Sequence, residues 1–506
     1  MNTRPAAIRG QDGQGAGRGR RLAAGVLIVG ALMDMIDVTI VNVALPTIRR
    51  SLHASSTQLE WVVSGYMLAF AAALIVAGSL GDRFGRKRVF LFGVALFGAA
   101  SMCAGLSSTG AELIAARVVQ GAAAASMAPQ VLATFRVIFT TTKDRGQAFA
   151  AYGAMLGFAS AIGLVLGGVL TDANLFGWSW RAVFFVNLPV AVIALIAGLR
   201  LVPETRDPVA RRPNLAGGAI LAASLVAIVY PLLEGRQLGW PAWVWIVLVA
   251  GLLGVAGLAV AEERRPQAQT APLLRARLLR VPAFAAGLGV QMAFSAGMQG
   301  FFLMFALWLQ VGEHFSPLRA GLTAVAFSVG SFIGAPAAVP LAQKYGRRIL
   351  VIGALLMAGG IAALSAFVSH VGIDGSPWPV VPGLVVAGMG LALLVIPLVN
   401  VVLAAAPAEA AGSASGIFST AQQLGGAVGV ALLGTVFFGS VGSGHSFADA
   451  LRHTAPYAIG AFGLCGLLSL LLPRTAVSEE VLTGGDELDT SEPIADDSIR
   501  AEPARN

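Results

Sequence analysis

Charge is scarce in this sequence. Only 12% of its 506 residues are Asp, Glu, Lys or Arg, about half the share a soluble domain needs to face water. Cysteine is nearly absent. Cys103 and Cys465 lie far apart, each inside an apolar run, with no His or Cys neighbour at metal-ligand spacing. That argues against a disulfide framework or a metal site; two free, buried thiols are expected. No P-loop, no HExxH pattern and no sizeable soluble stretch is present, so neither ATP-driven pumping within this chain nor an enzyme is expected. Gly425-Gly426-Ala427-Val428-Gly429 lies in an apolar helix, where packing explains it better than nucleotide binding. The net charge of +8 could suggest nucleic acid, but the cations are scattered through short loops and form no basic domain. No nucleic-acid partner is expected.

What is abundant is apolar sequence: 56% of residues are hydrophobic and the mean hydropathy is +0.77. A bilayer core takes about 20 apolar residues per helix. Such runs fall near 22–46, 58–78, 89–107, 113–135, 147–170, 182–201, 215–233, 243–261, 283–309, 318–341, 349–368, 380–404, 413–438 and 454–472. The spacing predicts an all-α, multi-pass membrane protein of fourteen spans. The Arg-rich start could pass for a signal peptide, but the first run is long and lacks a clean small-residue cleavage site. Placing the N-terminus in the cytoplasm and alternating sides puts 27 Lys/Arg on the cytoplasmic side and 6 opposite, with Arg117 inside a helix. This asymmetry follows the positive-inside rule and puts both termini in the cytoplasm. The end of the chain changes character: Glu479, Glu480, Asp486, Glu487, Asp489 and their neighbours predict an acidic, disordered tail.

One loop pattern occurs twice. Phe84-Gly85-Arg86-Lys87 recurs as Tyr345-Gly346-Arg347-Arg348, 261 residues on. A repeat of this kind predicts two related six-helix bundles that rock about a central site. The expected division is a segment 1–21, a bundle 22–201, two inserted helices with linkers 202–282, a bundle 283–472 and a tail 473–506.

Asp34 and Asp37 are read as the only carboxylates deep in a span. Ionised and unpaired, each costs roughly 2.5–3.5 kcal/mol on insertion scales. Three residues apart, they share a helix face, which is expected to line a wet cavity, bind protons and attract cationic substrates. Arg117 is the lone cation within a helix and must find carboxylates, carbonyls or water there. Asp82, Arg83, Arg86 and Lys87 form a charged turn suited to pairing across halves in one conformation and releasing in another, with Arg145 as a partner for Asp82. Aromatic and amide side chains are candidates to line a substrate cavity. They are Asn42, Trp61, Tyr66, Gln120, Gln291, Gln310 and Gln422, with Phe294, Phe301, Phe302, Phe305 and Trp308 as further aromatics; packing between helices is the competing use of each.

Across 22–472 the sequence resembles the major facilitator superfamily, specifically its fourteen-helix drug/proton antiporter branch. The first span carries Asp37-Val38-Thr39-Ile40-Val41-Asn42-Val43-Ala44-Leu45-Pro46. Trp61 and Tyr66 keep the branch's spacing in the second. Gly78 to Lys87 matches the superfamily's loop motif, and Arg117, Gln120 and Gly121 its fourth-helix motif. Trp180-Arg181, Phe184, Asn187 and Pro189 match a sixth-helix pattern. The resemblance implies proton-coupled export of amphipathic or cationic drugs or antibiotics, with Arg117 in the coupling. A dedicated exporter of one endogenous metabolite, giving self-resistance, is the alternative. No cofactor is implied: the energy source is the proton gradient and the partners are a drug-like molecule, protons and the lipid bilayer, with the chain acting as a monomer. The sequence departs from the pattern in the fifth span. Gly163-Leu164-Val165-Leu166-Gly167-Gly168 keeps the motif's glycines but has Leu164 where the branch has proline.

Overall fold

The computed structural model describes residues 9–139, 161–206, 212–264, 276–370, 376–405 and 411–473, with 141, 144, 148 and 159. Among these the secondary structure is helical, without a strand. The long helices are α1 (Arg9–Leu52), α2 (Ser56–Phe84), α3 (Arg86–Leu106), α4 (Gly110–Ile138), α5 (Ala161–Asp172), α6 (Ser179–Leu201) and α7 (Leu215–Leu238). They continue as α8 (Ala242–Arg264), α9 (Pro282–Leu307), α10 (Pro317–Tyr345), α11 (Arg348–His370), α12 (Val381–Ala404), α13 (Ala411–Gly442) and α14 (Phe447–Ser469). Eleven of the described helices are long and apolar enough to cross a membrane. The other three are α4, α5 and α14. α4 carries Glu112, Arg117, Gln120 and Gln130, and α14 carries Asp449, Arg452 and His453, which dilute their apolar character. α5 is described only from Ala161.

Helix packing sorts centre from rim. In α9, 72% of the apolar window is buried against protein, whereas in α8 the share is 22%. The outward faces carry Phe92, Leu106, Ile193, Ile246, Leu253 and Leu467 exposed. Large apolar side chains in that position suit a lipid solvent. Cys103 belongs to this outer face; only Cys465 is buried, so the expectation of two buried thiols holds for one.

The helix arrangement repeats. α2 packs closely on α4 as α10 does on α12, and α3 on α4 as α11 on α12. The repeated loop is repeated in geometry as well. Gly85 has φ 109° and Gly346 φ 57°, a region that favours glycine. In the first copy Lys87 Nζ donates to the Leu199 carbonyl at the end of α6 (2.8 Å); in the second Arg347 donates to Leu470 and, at 2.9 Å, to Leu472 at the end of α14. A loop cation thus satisfies exposed carbonyls at a helix C-terminus in both copies.

Contacts between α1–α6 and α9–α14 gather toward the end bearing the α1–α2 connection. Gln310 Nε2, in a π-helical turn after α9, donates to the Val43 carbonyl at 2.8 Å. Thr420 Oγ1 on α13 donates to the Ala71 carbonyl at mid-depth (3.4 Å). A Cβ on Gly321 of α10 would strike the Leu164 carbonyl of α5, so these helices touch at backbone distance. Leu164, which replaces the motif proline, is buried in that contact. The α2–α13 contact runs on toward the α2–α3 end, where a Cβ on Gly416 would meet Ile75 at 3.4 Å.

Candidate functional site: a buried charge network on α1, α2, α3, α4 and α6

α4 begins with a capping box, Thr109 with Glu112, which satisfies orphan amides and fixes where the helix starts. Two turns on, Arg117, Gln120 and Gly121 share one face. Gly121 sets the distance to α2, because a Cβ there would overlap the Tyr66 carbonyl. The close approach lays the Arg117 guanidinium over the Tyr66 ring, 4.1 Å from its centroid, within cation–π range.

Arg117 forms an ion pair with Asp37. Its Nε donates to the Val62 carbonyl (3.2 Å) and its NH1 to Gln120 Oε1 (2.7 Å). Gln120 Nε2 turns back to Asp37 Oδ1 at 2.8 Å and to Ser101 Oγ at 3.3 Å. Asn187 Nδ2 on α6 donates to the same two acceptors, both at 2.9 Å. Ser101 Oγ in turn donates to the Phe184 carbonyl (3.0 Å). Asp34, one turn before Asp37, accepts from the Tyr66 hydroxyl. Asp37 is 0% exposed, Arg117 2% and Asp34 4%. The two carboxylates therefore share a face as expected, but that face is enclosed by α2, α4 and α6 instead of lining open water. Two carboxyl groups meet one guanidinium, so with both ionised the cluster carries one net negative charge.

The seven candidate cavity residues are not brought to one place. Tyr66 and Gln120 belong to the network. Trp61 is tied through Nε1 to Glu234 of α7 at 3.1 Å. Gln291 bonds Ser295 within α9, and Gln310 bonds α1. Asn42 is buried on α1. Gln422 is exposed, on the α13 stripe whose later glycines Gly425 and Gly429 meet α9. Phe294, Phe301, Phe305 and Trp308 are buried, and Phe301 stacks on Phe305 at 5.4 Å, so they pack the core of α9. An apolar groove of about 540 Å³ opens instead between α2, α3, α4 and α7, lined by Trp61, Gly65, Leu68, Phe92, Val118 and Val226 among others.

In the charged turn, Asp82 pairs with Arg86 of its own neighbourhood (2.9 Å). Arg83 is exposed beside Phe84. Arg145, the expected partner, lies outside the described residues. Glu204, after α6, accepts from the Lys87 amide at 3.2 Å and pairs with Arg88 at 3.6 Å. Sequence reading passed over Glu204, Ser101 and two further acids, Glu60 and Glu234, and it used Asn187 only as a motif residue. The acids carried a signal, since both fall in or beside an apolar run.

Comparison with known proteins agrees with this architecture. The family model described as Major Facilitator Superfamily matches residues 27–259, 208–430 and 289–495. A "Probable actinorhodin transporter" of Streptomyces coelicolor is 39% identical over 86% of this chain and 76% of its own length. The puromycin resistance protein of Streptomyces alboniger is 33% identical over 90% and 92%, and a multidrug resistance protein of Mycobacterium tuberculosis 33% over 81% and 74%. Among solved structures, an auto-inhibited POT family peptide transporter aligns with TM-score 0.66 at 16% identity, over 91% of this chain and 98% of that one. A D-xylose–proton symporter aligns at 0.60 and 16%, over 90% and 98%. These structural likenesses concern the fold alone.

Proposed function

Because the chain belongs to the major facilitator superfamily, we propose that it is a proton-coupled exporter of amphipathic, cationic drugs or antibiotics, working across the cytoplasmic membrane. The observation that carries this reading is the unbalanced charge of the buried network. Asp34 and Asp37 face one guanidinium, and a group left charged in a membrane span must be neutralised. A proton does this, and so does a cationic group of a substrate; the two compete for one vacancy. Competition of that kind is antiport. Arg117 holds Asp37 until a proton arrives, and its release from the pair is the signal that α4 carries to α2 through Tyr66. The names of the relatives, resistance proteins and exporters of antibiotics, support the substrate class. The relative named as an actinorhodin transporter also favours a second reading, a dedicated exporter of one endogenous metabolite.

In this reading all fourteen helices span, in a six-two-six division, with both termini cytoplasmic and the chain a monomer. The charge asymmetry of the loops supports the orientation, and the recurrence of the α2–α4 pairing as α10–α12 supports the division. The α1–α2 end is then external. The backbone-close α5–α10 contact lies at that end, which supports reading the state as inward-facing.

The test is a panel of cationic amphipaths applied to everted vesicles with a pH-gradient dye. Substrate-dependent proton release is expected. Movement of substrate that never disturbs the gradient would sink the coupling. The Asp82 turn is assigned to the cytoplasmic gate. Its ion pair with Arg86 is partly exposed and contributes at most about 0.5 kcal/mol, so Asp82→Asn should leave thermal stability in detergent near wild type while slowing transport several-fold, about fivefold for a shift near 1 kcal/mol in the conformational equilibrium. A normal rate in that variant would reduce the turn to a topology signal.

A further inference from the structure

Glu60 is the one described carboxylate in the spans that is buried and has no bonded partner. It sits in the first turns of α2, 3% exposed, and makes no hydrogen bond and no ion pair within 4 Å among the described residues. Its head presses on α13: a Cβ on Gly434 would strike Glu60 Oε1, so glycine alone leaves room. Glu234 and Arg236 of α7 act on it electrostatically. Arg236 is turned toward Gly439 of α13, and Glu234 is held by Trp61. From α1, Arg49 lies over Phe438, 5.9 Å from the ring centroid. α13 brings no titratable side chain to this level. Glu112 of α4 is committed to its own helix cap. The junction also closes through Gln237 to Thr57 and through Thr435 Oγ1 to the Leu232 carbonyl (3.3 Å). It is therefore a three-helix seam of α2, α7 and α13 at the α1–α2 end, built around an acid with Arg236 in electrostatic reach but no cation paired within 4 Å among the described residues.

We propose that Glu60 is a proton-binding site on the external face, separate from the Asp34–Asp37 network, whose protonation closes the α2–α13 seam and whose ionisation opens it. A neutral carboxyl fits the narrow notch at Gly434. A carboxylate there would be desolvated without a hydrogen bond, a costly arrangement, relieved when α2 parts from α13 and water enters. The proton comes from external water to a Glu60 carboxylate oxygen and returns to external water on opening. It is not carried across. Glu60 thus senses external acidity and sets how often the outward-facing state is visited. The inference takes from the exporter reading only the orientation and the existence of an outward-facing state.

The experiment is labelling from outside intact cells, without substrate, by a membrane-impermeant maleimide. The reporter is Met67→Cys, on α2 against Gly426 of α13 and 1% exposed in this state, in full-length chain carrying Cys103→Ser to remove the exposed native thiol. With Glu60 intact, the labelling rate should rise about fivefold or more between external pH of about 5.5 and 8.5, as the open population grows. Glu60→Gln, which mimics the protonated form, should label slowly and show no pH dependence. Gly434→Ala, which crowds the notch, should label fast even at the acid end. His445 and His453, edge to face at 5.1 Å, are the other ionisable side chains of this end, so the glutamine variant decides. If it keeps the wild-type rise, the sensor is elsewhere and the proposal falls. Fast labelling by Glu60→Gln at every pH, or no pH dependence with Glu60 intact, overturns it equally. Because no substrate is used, a failure here is distinct from failure of proton-coupled export, which the vesicle assay reads. A monodisperse peak in detergent confirms that each variant is folded.

Discussion

Asp37→Asn should abolish substrate-dependent proton release in everted vesicles and destabilise the protein at the same time. It strips the Arg117 guanidinium of its ionic partner at 2% exposure. Removing one member of a buried pair typically costs about 3–5 kcal/mol, because the other charge is left uncompensated. Arg117→Gln should do the same from the other side, leaving Asp34 and Asp37 without a cation. The double variant separates structure from coupling. With both charges gone, amides can keep the contacts to Gln120, Asn187 and the Val62 carbonyl, and thermal stability in detergent should return most of the way to wild type. Coupled transport should stay down by about a hundredfold or more, the scale of a lost interaction worth roughly 3 kcal/mol. Single variants that unfold at the wild-type temperature would mean the pair is solvated. Proton release by the double variant would remove it from the coupling altogether.

Gly121→Val should be the most damaging substitution without a charge change. Its Cβ meets main chain, the Tyr66 carbonyl and Cα, and no flexible side-chain end can yield. Overpacking in a tight interface costs about 1–3 kcal/mol, occasionally more. Here α2 must also back away from the ring on which Arg117 lies. We expect little monodisperse protein, a melting point lowered by several degrees and loss of transport. Gly257→Val is the control: nothing lies within 4 Å of a Cβ there, and it should behave as wild type. Equal stability of the two variants would contradict the close α2–α4 approach.

Much of this architecture was legible, for a physical reason. A span must satisfy its backbone internally, so eleven helices announce themselves as long apolar runs, whereas polar residues dilute α4 and α14. Asp34, Asp37 and Arg117 were legible because a charge at that depth is expensive. Ser101 was not, since a serine in a Gly/Ala-rich helix carries no comparable penalty. Glu60 escaped because it lies at the edge of its run, where a carboxylate reads as interfacial; only the fold brings α13 against it. The amides and aromatics were identified by type, but their partners are 173 residues away for Trp61 and 267 for Gln310. Such distances are a property of topology and not of local pattern. Asp82 differs: its partner Arg86 is four residues on, a local pairing.

The two-against-one charge count on α1 and α4 has an electrical consequence. Moving one net elementary charge through 100 mV is worth about 2.3 kcal/mol. A site with a single vacancy that trades one proton for one monovalent cation moves no net charge, and such a cycle is blind to membrane voltage. It would draw on the pH difference alone. Exchange of a proton for a neutral or divalent molecule is not blind, so imposing a potential at constant pH should change the rate for those substrates and leave monovalent cations untouched. The valence of its cargo would then decide which part of the proton-motive force this protein can spend.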